Sequence, residues 1–262
     1  MAAVLTVEIM QRWLWLAASL CLAVLLLRLW RTGLWRRYRC FTFLILAELA
    51  QSLTVAAVAP RTDLYALLYL AFVLILAVAY VLAVLEVYSL VLERYAGLIN
   101  VGRWAISLAL ALSLVVAAVT IYPDVSGSAG ASPLLLFMRI FQRILYSALL
   151  FFLLVITGFL LWFPIPLPRN TVLHTIVFGL FFASQALLLL FRNVGGPGLT
   201  RVLSAAHLGV YVLCVSAWCI FLSPRGERVT YVLGQHWSRE IQDRLVSQLD
   251  SLNSALMRAA KK

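Results

Sequence analysis

Between Tyr65 and Leu85 the chain carries no charged residue, and the apolar run continues past Glu86 to close on Glu93, Arg94 and Tyr95. A charge-free helix of about 20 residues, rising ~1.5 Å per residue, matches the ~30 Å hydrocarbon core of a bilayer. Lipid offers no partner to backbone N–H and C=O groups, so only a helix or a closed barrel can cross it. A barrel needs short strands that alternate apolar and polar residues, whereas this run is continuous. The stretch therefore predicts a membrane-spanning helix. Glu86 lies two turns before Glu93, which places Glu86, Glu93 and Arg94 together near one membrane face as an ion-pair region.

The rest of the chain repeats this pattern. Of 262 residues, 64% are hydrophobic and 12% charged, and the mean hydropathy is +1.00; soluble domains carry about twice that share of charge. The expected fold class is all-α, a polytopic membrane protein with spans at about 13–30, 41–59, 65–92, 104–122, 138–163, 171–191 and 203–222. Residues 1–222 then form a seven-helix transmembrane domain and 223–262 a tail. Pro60, the Pro-, Gly- and Ser-rich run 122–133, the prolines at 164, 166 and 168, the glycine-rich loop 192–201 and Pro224 separate the spans. A cleavable signal peptide puts positive charge before its apolar core. Here the basic cluster Arg28 to Arg39 follows it, so the first helix is expected to be retained.

Charge sets the orientation. With the N-terminus outside, 15 of the 21 Lys and Arg residues fall on the inner side, the sign expected of cytoplasmic loops. The expected location is the plasma (inner) membrane, with seven spans leaving the tail in the cytoplasm. The net charge of +11 is accounted for by this bias, and no motif that reads nucleic acid accompanies it. The lipid bilayer, not nucleic acid, is the expected partner.

Few polar residues interrupt the spans. Glu48 and Gln51 lie three apart, hence on one helical face, near mid-membrane, where an ionised carboxylate must be paired, hydrated or protonated. Arg143, Gln185 and His207 fall in the outer half by residue count. Glu48, Gln51, Arg143, Gln185 and His207 are thus candidates to line one outward-facing polar pocket; the competing reading of Glu48 is a protonated acid that joins two helices. His174 and His207 do not form a haem site, because residue counting puts them about 20 Å apart in depth. A retinal Schiff base requires a lysine within a span, and the only lysines are Lys261 and Lys262. Cys21, Cys40, Cys214 and Cys219 lack the spacing of a metal site or of an external disulfide and read as packing residues. No metal or other cofactor is expected.

In the tail, Ile241, Leu245, Leu249, Leu252 and Leu256 recur at intervals of four, four, three and four, the single stripe of an amphipathic helix at about 238–259. Such a helix is marginal alone and must bury its stripe; its mixed charges favour docking on protein, either its own loops or a partner, over docking on anionic lipid.

Two resemblances bear on these readings. Glu93-Arg94-Tyr95 resembles the acid-Arg-Tyr triplet of rhodopsin-like receptors, in the same helix and orientation, but no Asn-Pro-x-x-Tyr follows in the seventh span, so the triplet reads as a boundary ion pair. The length, the span order and the tail stretch Gln-Leu-Asp-Ser-Leu-Asn-Ser-Ala-Leu resemble uncharacterised seven-helix bacterial membrane proteins of acidobacterial type. That resemblance implies the architecture and no activity. With no nucleophile-base set or phosphate loop in view, the expected function is non-enzymatic: a sensor, receptor-like or signalling-accessory module with an outward polar pocket and a cytoplasmic docking helix. Alternatives are a structural subunit of a larger membrane complex and, behind it, a small-solute transporter or intramembrane enzyme.

Overall fold

The computed structural model describes residues 2–58, 63–91, 133–162, 166–194 and 197–232, with isolated positions in 108–115 and 244–258. The expected span 104–122, Glu93, Arg94 and the tail stripe Ile241, Leu245, Leu249, Leu252 and Leu256 lie outside the described residues. Six long helices are present among those described: α1 (Ala2–Thr32), α2 (Arg39–Ala57), α3 (Asp63–Val91), α4 (Pro133–Trp162), α5 (Arg169–Val194) and α6 (Pro197–Phe221). All six are long and apolar enough to cross a membrane. Their flanks are what lipid requires: Trp13, Leu20 and Trp30 on α1 and Leu213 and Ile220 on α6 are among many large apolar side chains left exposed. A water-soluble surface does not carry apolar patches of that extent. The chain is a multi-pass membrane protein built of helices.

Two compact units divide it. Unit 1 comprises residues 1–86 and 180–224, and unit 2 comprises 87–179 and 225–262. Within unit 1, α1 packs most extensively on α6 and next on α2. A tight turn joins α1 to α2. Gly33 ends α1 with φ 75°, a left-handed conformation that side chains disfavour, and a short 3-10 turn (Leu34–Arg36) follows. Tyr38, fully buried, then stands before the first residue of α2.

The first amides of α2 need partners that Tyr38 does not provide, since its side chain makes no capping bond. Glu86 of α3 supplies them: its Oε1 accepts from the Cys40 N–H and its Oε2 from the Phe41 N–H, both at 3.0 Å. A carboxylate at a helix N-terminus is also favoured by the helix dipole. Glu86 is thus a cap borrowed from a neighbouring helix, a role that sequence order does not reveal.

Within unit 2, Tyr88 packs on Phe152, with ring centroids 5.4 Å apart. The proline-rich segment before α5 does more than end a helix. Pro166–Pro168 forms strand β1, which pairs antiparallel with β2 (Thr230–Val232) in the register Pro166 to Val232, Leu167 to Tyr231 and Pro168 to Thr230. Prolines are tolerated there because a two-stranded ribbon has only edges. Asn170 secures the ribbon by donating to Glu227 at 2.6 Å, and a Cβ on Gly226 would overlap the Asn170 amide. The all-α expectation thus gains one small ribbon, which ties the start of the tail to the start of α5.

Candidate functional site

The polar residues of unit 1 gather where α1, α2 and α6 meet. Glu48, on the middle of α2, is half-buried, and both of its oxygens are engaged: the Tyr80 hydroxyl of α3 donates to Oε1 at 2.5 Å, and the Tyr211 hydroxyl of α6 donates to Oε2 at 3.3 Å. Each oxygen of an ionised carboxylate can accept more than one bond, so two tyrosines leave acceptor capacity over. One turn further along α2, Ser52 meets Ser19 of α1 at 2.6 Å. Ser19 gives its single hydrogen to the Trp15 carbonyl at 2.9 Å, so Ser52 is the donor between the two hydroxyls.

Phe181 of α5 holds this arrangement from behind. Its ring stacks on Tyr80 with centroids 5.3 Å apart and tilts against Tyr211 at 5.9 Å and His207 at 5.7 Å. His207 Nδ1 lies 3.1 Å from the Ser184 hydroxyl, which donates to the Phe181 carbonyl. With that hydrogen committed, Nδ1–H is the donor to Ser184, and Nε2 remains the acceptor face of the ring.

In front of Glu48 is a cavity of about 150 Å³, lined by Glu48, Gln51, Ser19, Ser52, Trp15 and Tyr211 together with apolar side chains. A wider recess of about 530 Å³ is lined by Gln11, Arg12, Trp15, Ser204, His207 and Leu208. Trp15 and Leu208 border both spaces. From Arg12 to Ser19 on α1, and from Ser204 to Tyr211 on α6, the helical rise is about 10 Å. The two spaces therefore follow one another along the groove between α1 and α6, the wide one toward their N-termini and the narrow one against the carboxylate.

Of the expected pocket residues, Glu48 and Gln51 line the cavity and His207 lines the recess. Gln185, half-buried on α5, lines neither. Arg143 belongs to unit 2, where it is buried with Ser147 one turn along α4. His174 is also buried in unit 2, stacked on Phe178. Among the described residues, no three His, Cys, Asp or Glu side chains converge as metal ligands would.

Sequence reading missed Trp15, Ser19, Ser52, Tyr80 and Tyr211. Tyrosine and tryptophan count as apolar in a hydropathy pattern, and a lone serine is common in a span; each was visible only as a hydrogen-bonding group inside an apolar run. Comparison with family models, with curated proteins and with solved structures finds no match to this chain.

Proposed function

We propose that this chain is a non-enzymatic, receptor-like sensor of the plasma membrane, which takes a small ligand from outside into the groove between α1 and α6. One observation carries the reading: a mid-span carboxylate, held by two tyrosines, faces a cavity that continues into a wider polar recess. Intramembrane acids that serve only as glue between helices have no use for an open space beside them. The recess lies toward the N-termini of α1 and α6, the side assigned to the exterior by the distribution of Lys and Arg.

The proposal includes seven spans, the N-terminus outside and the tail in the cytoplasm. Helix directions in unit 1 support that count. Glu86 meets the start of α2 and Tyr80 its middle, so α3 runs antiparallel to α2. Recess and cavity residues ascend together on α1 and α6, so these two run parallel. Ser184 meets His207 while Phe181 meets Tyr211, so α5 runs antiparallel to α6. With α1 entering from outside, α3 ends and α5 begins on the inner side. An even number of crossings must separate them, and α4 is one; the proposal assigns the other to 104–122. The tail helix is proposed as the output element, docking on protein through its apolar stripe.

Single cysteines at Ser19 and Ser52, introduced after replacement of the four native cysteines, test the site. A membrane-impermeant maleimide added to intact cells should label both, and labelling only after permeabilisation would refute an outward groove.

A further inference from the structure

The ligand itself can be narrowed from the chemistry of the cavity, an inference that rests on the receptor reading above. A half-buried carboxylate in a span is either protonated or compensated by a cation, and hydroxyl donors alone do not neutralise it; a cationic ligand is the partner that keeps it ionised. Among the described residues Glu48 has the two tyrosines as partners and no cationic one. Beside it stand two aromatic rings, Trp15 and Tyr211, and the oxygens of Gln51, Ser19 and Ser52. A carboxylate with aromatic faces is a donor set for an alkylammonium group: the ion pair supplies charge complement, and the rings attract a cation through their quadrupoles. Anions are excluded because the nearest charge is negative. Neutral apolar molecules would leave that charge buried against them.

Size agrees. A cavity of about 150 Å³ is the volume that holds one benzene-sized molecule, which suits a small ammonium head and not a bulky head such as a nucleotide. Arg12 does not oppose this assignment. It is exposed in the outer recess, roughly 10 Å along α1 from the Ser19 level, where water screens it. We infer that the inner cavity binds a small organic cation of the alkylammonium class, with its charge on Glu48 and its alkyl groups between Trp15 and Tyr211.

Two sources present that chemistry, a free amine and the headgroup of an amino lipid. The test uses the full chain in nanodiscs of phosphatidylglycerol alone, titrated calorimetrically with choline and with its uncharged isostere 3,3-dimethylbutan-1-ol. Choline should bind saturably and at least tenfold more tightly than the isostere. Glu48→Gln should weaken choline tenfold or more, and Trp15→Leu should weaken it severalfold. Equal binding of the two probes, no saturable choline binding, or full retention in a folded Glu48→Gln protein would overturn the inference. Trp15→Leu leaves the carboxylate and its tyrosines in place, so the aromatic contribution stays testable if Glu48→Gln does not fold. Repeating the titration in phosphatidylcholine nanodiscs separates the sources: competition by the lipid supports a headgroup ligand, and unchanged choline affinity a free amine. Cysteine labelling from outside without choline binding would leave the receptor reading standing and remove this one.

Discussion

Two carboxylates join α2 to α3, and they are treated in opposite ways. Toward the C-terminal end of α3, Glu86 gives one oxygen to each of two successive backbone amides at the start of α2. Near the middle, Glu48 of α2 takes hydroxyls from α3 and α6 and faces open space. The first acid completes a helix that would otherwise begin with orphaned N–H groups; its partners cannot move without unwinding α2. The second has side-chain partners that can turn, and a cavity into which a ligand can come. An acid in a span is therefore not functional because it is charged. What separates the two is whether the backbone claims both oxygens and whether room remains in front of them.

The largest test of that contrast is the removal of each acid. Glu86→Ala should cost about 3 kcal/mol of stability, since two charge-assisted bonds to otherwise unpaired amides are lost. Glu86→Gln, which keeps one acceptor, should cost about half as much. Glu48→Gln should stay within about 1 kcal/mol of the parent, because an amide oxygen still accepts one tyrosine hydroxyl. Unfolding of the three variants in mixed micelles, followed by circular dichroism against denaturant, measures the differences. Equal losses at the two positions would erase the distinction.

Much of the architecture was legible because lipid imposes a single rule on the backbone. Once 65–85 reads as a span, the other apolar runs follow: α2, α3 and α5 lie within three residues of runs read as spans, and α6 begins six residues ahead of its run. Glu48 and Gln51 were legible for the same reason, as polar atoms that the bilayer penalises. Tyr80, Tyr211 and Trp15 were not, because hydropathy averages a ring and its hydroxyl or indole N–H into one apolar value. The role of Glu86 was also hidden: its spacing from Glu93 points along its own helix, whereas its bonds run to another. The β1–β2 ribbon pairs segments more than 60 residues apart, and no local periodicity encodes such a pairing.

Smaller effects sharpen the account of Glu48. Tyr80→Phe, which removes the shorter of the two hydroxyl donors, should destabilise by about 1–2 kcal/mol. Tyr211→Phe removes the longer bond and should cost about 0.5 kcal/mol. Chemical unfolding of both variants checks the order, and a greater loss for Tyr211→Phe would mean that α6, not α3, fixes the carboxylate. Smaller still, Ser52→Ala should change stability by less than about 1 kcal/mol, since Ser19 retains its bond to the Trp15 carbonyl.

The central proposal is that Glu48 faces a space open to the outside while Glu86 is committed to the backbone. A water-soluble carbodiimide with an amine tag, applied to right-side-out vesicles and mapped by peptide mass spectrometry, addresses both acids in one sample. The account predicts an adduct at Glu48, lost after prior treatment with choline, and none at Glu86; modification of Glu86 with Glu48 untouched would contradict it.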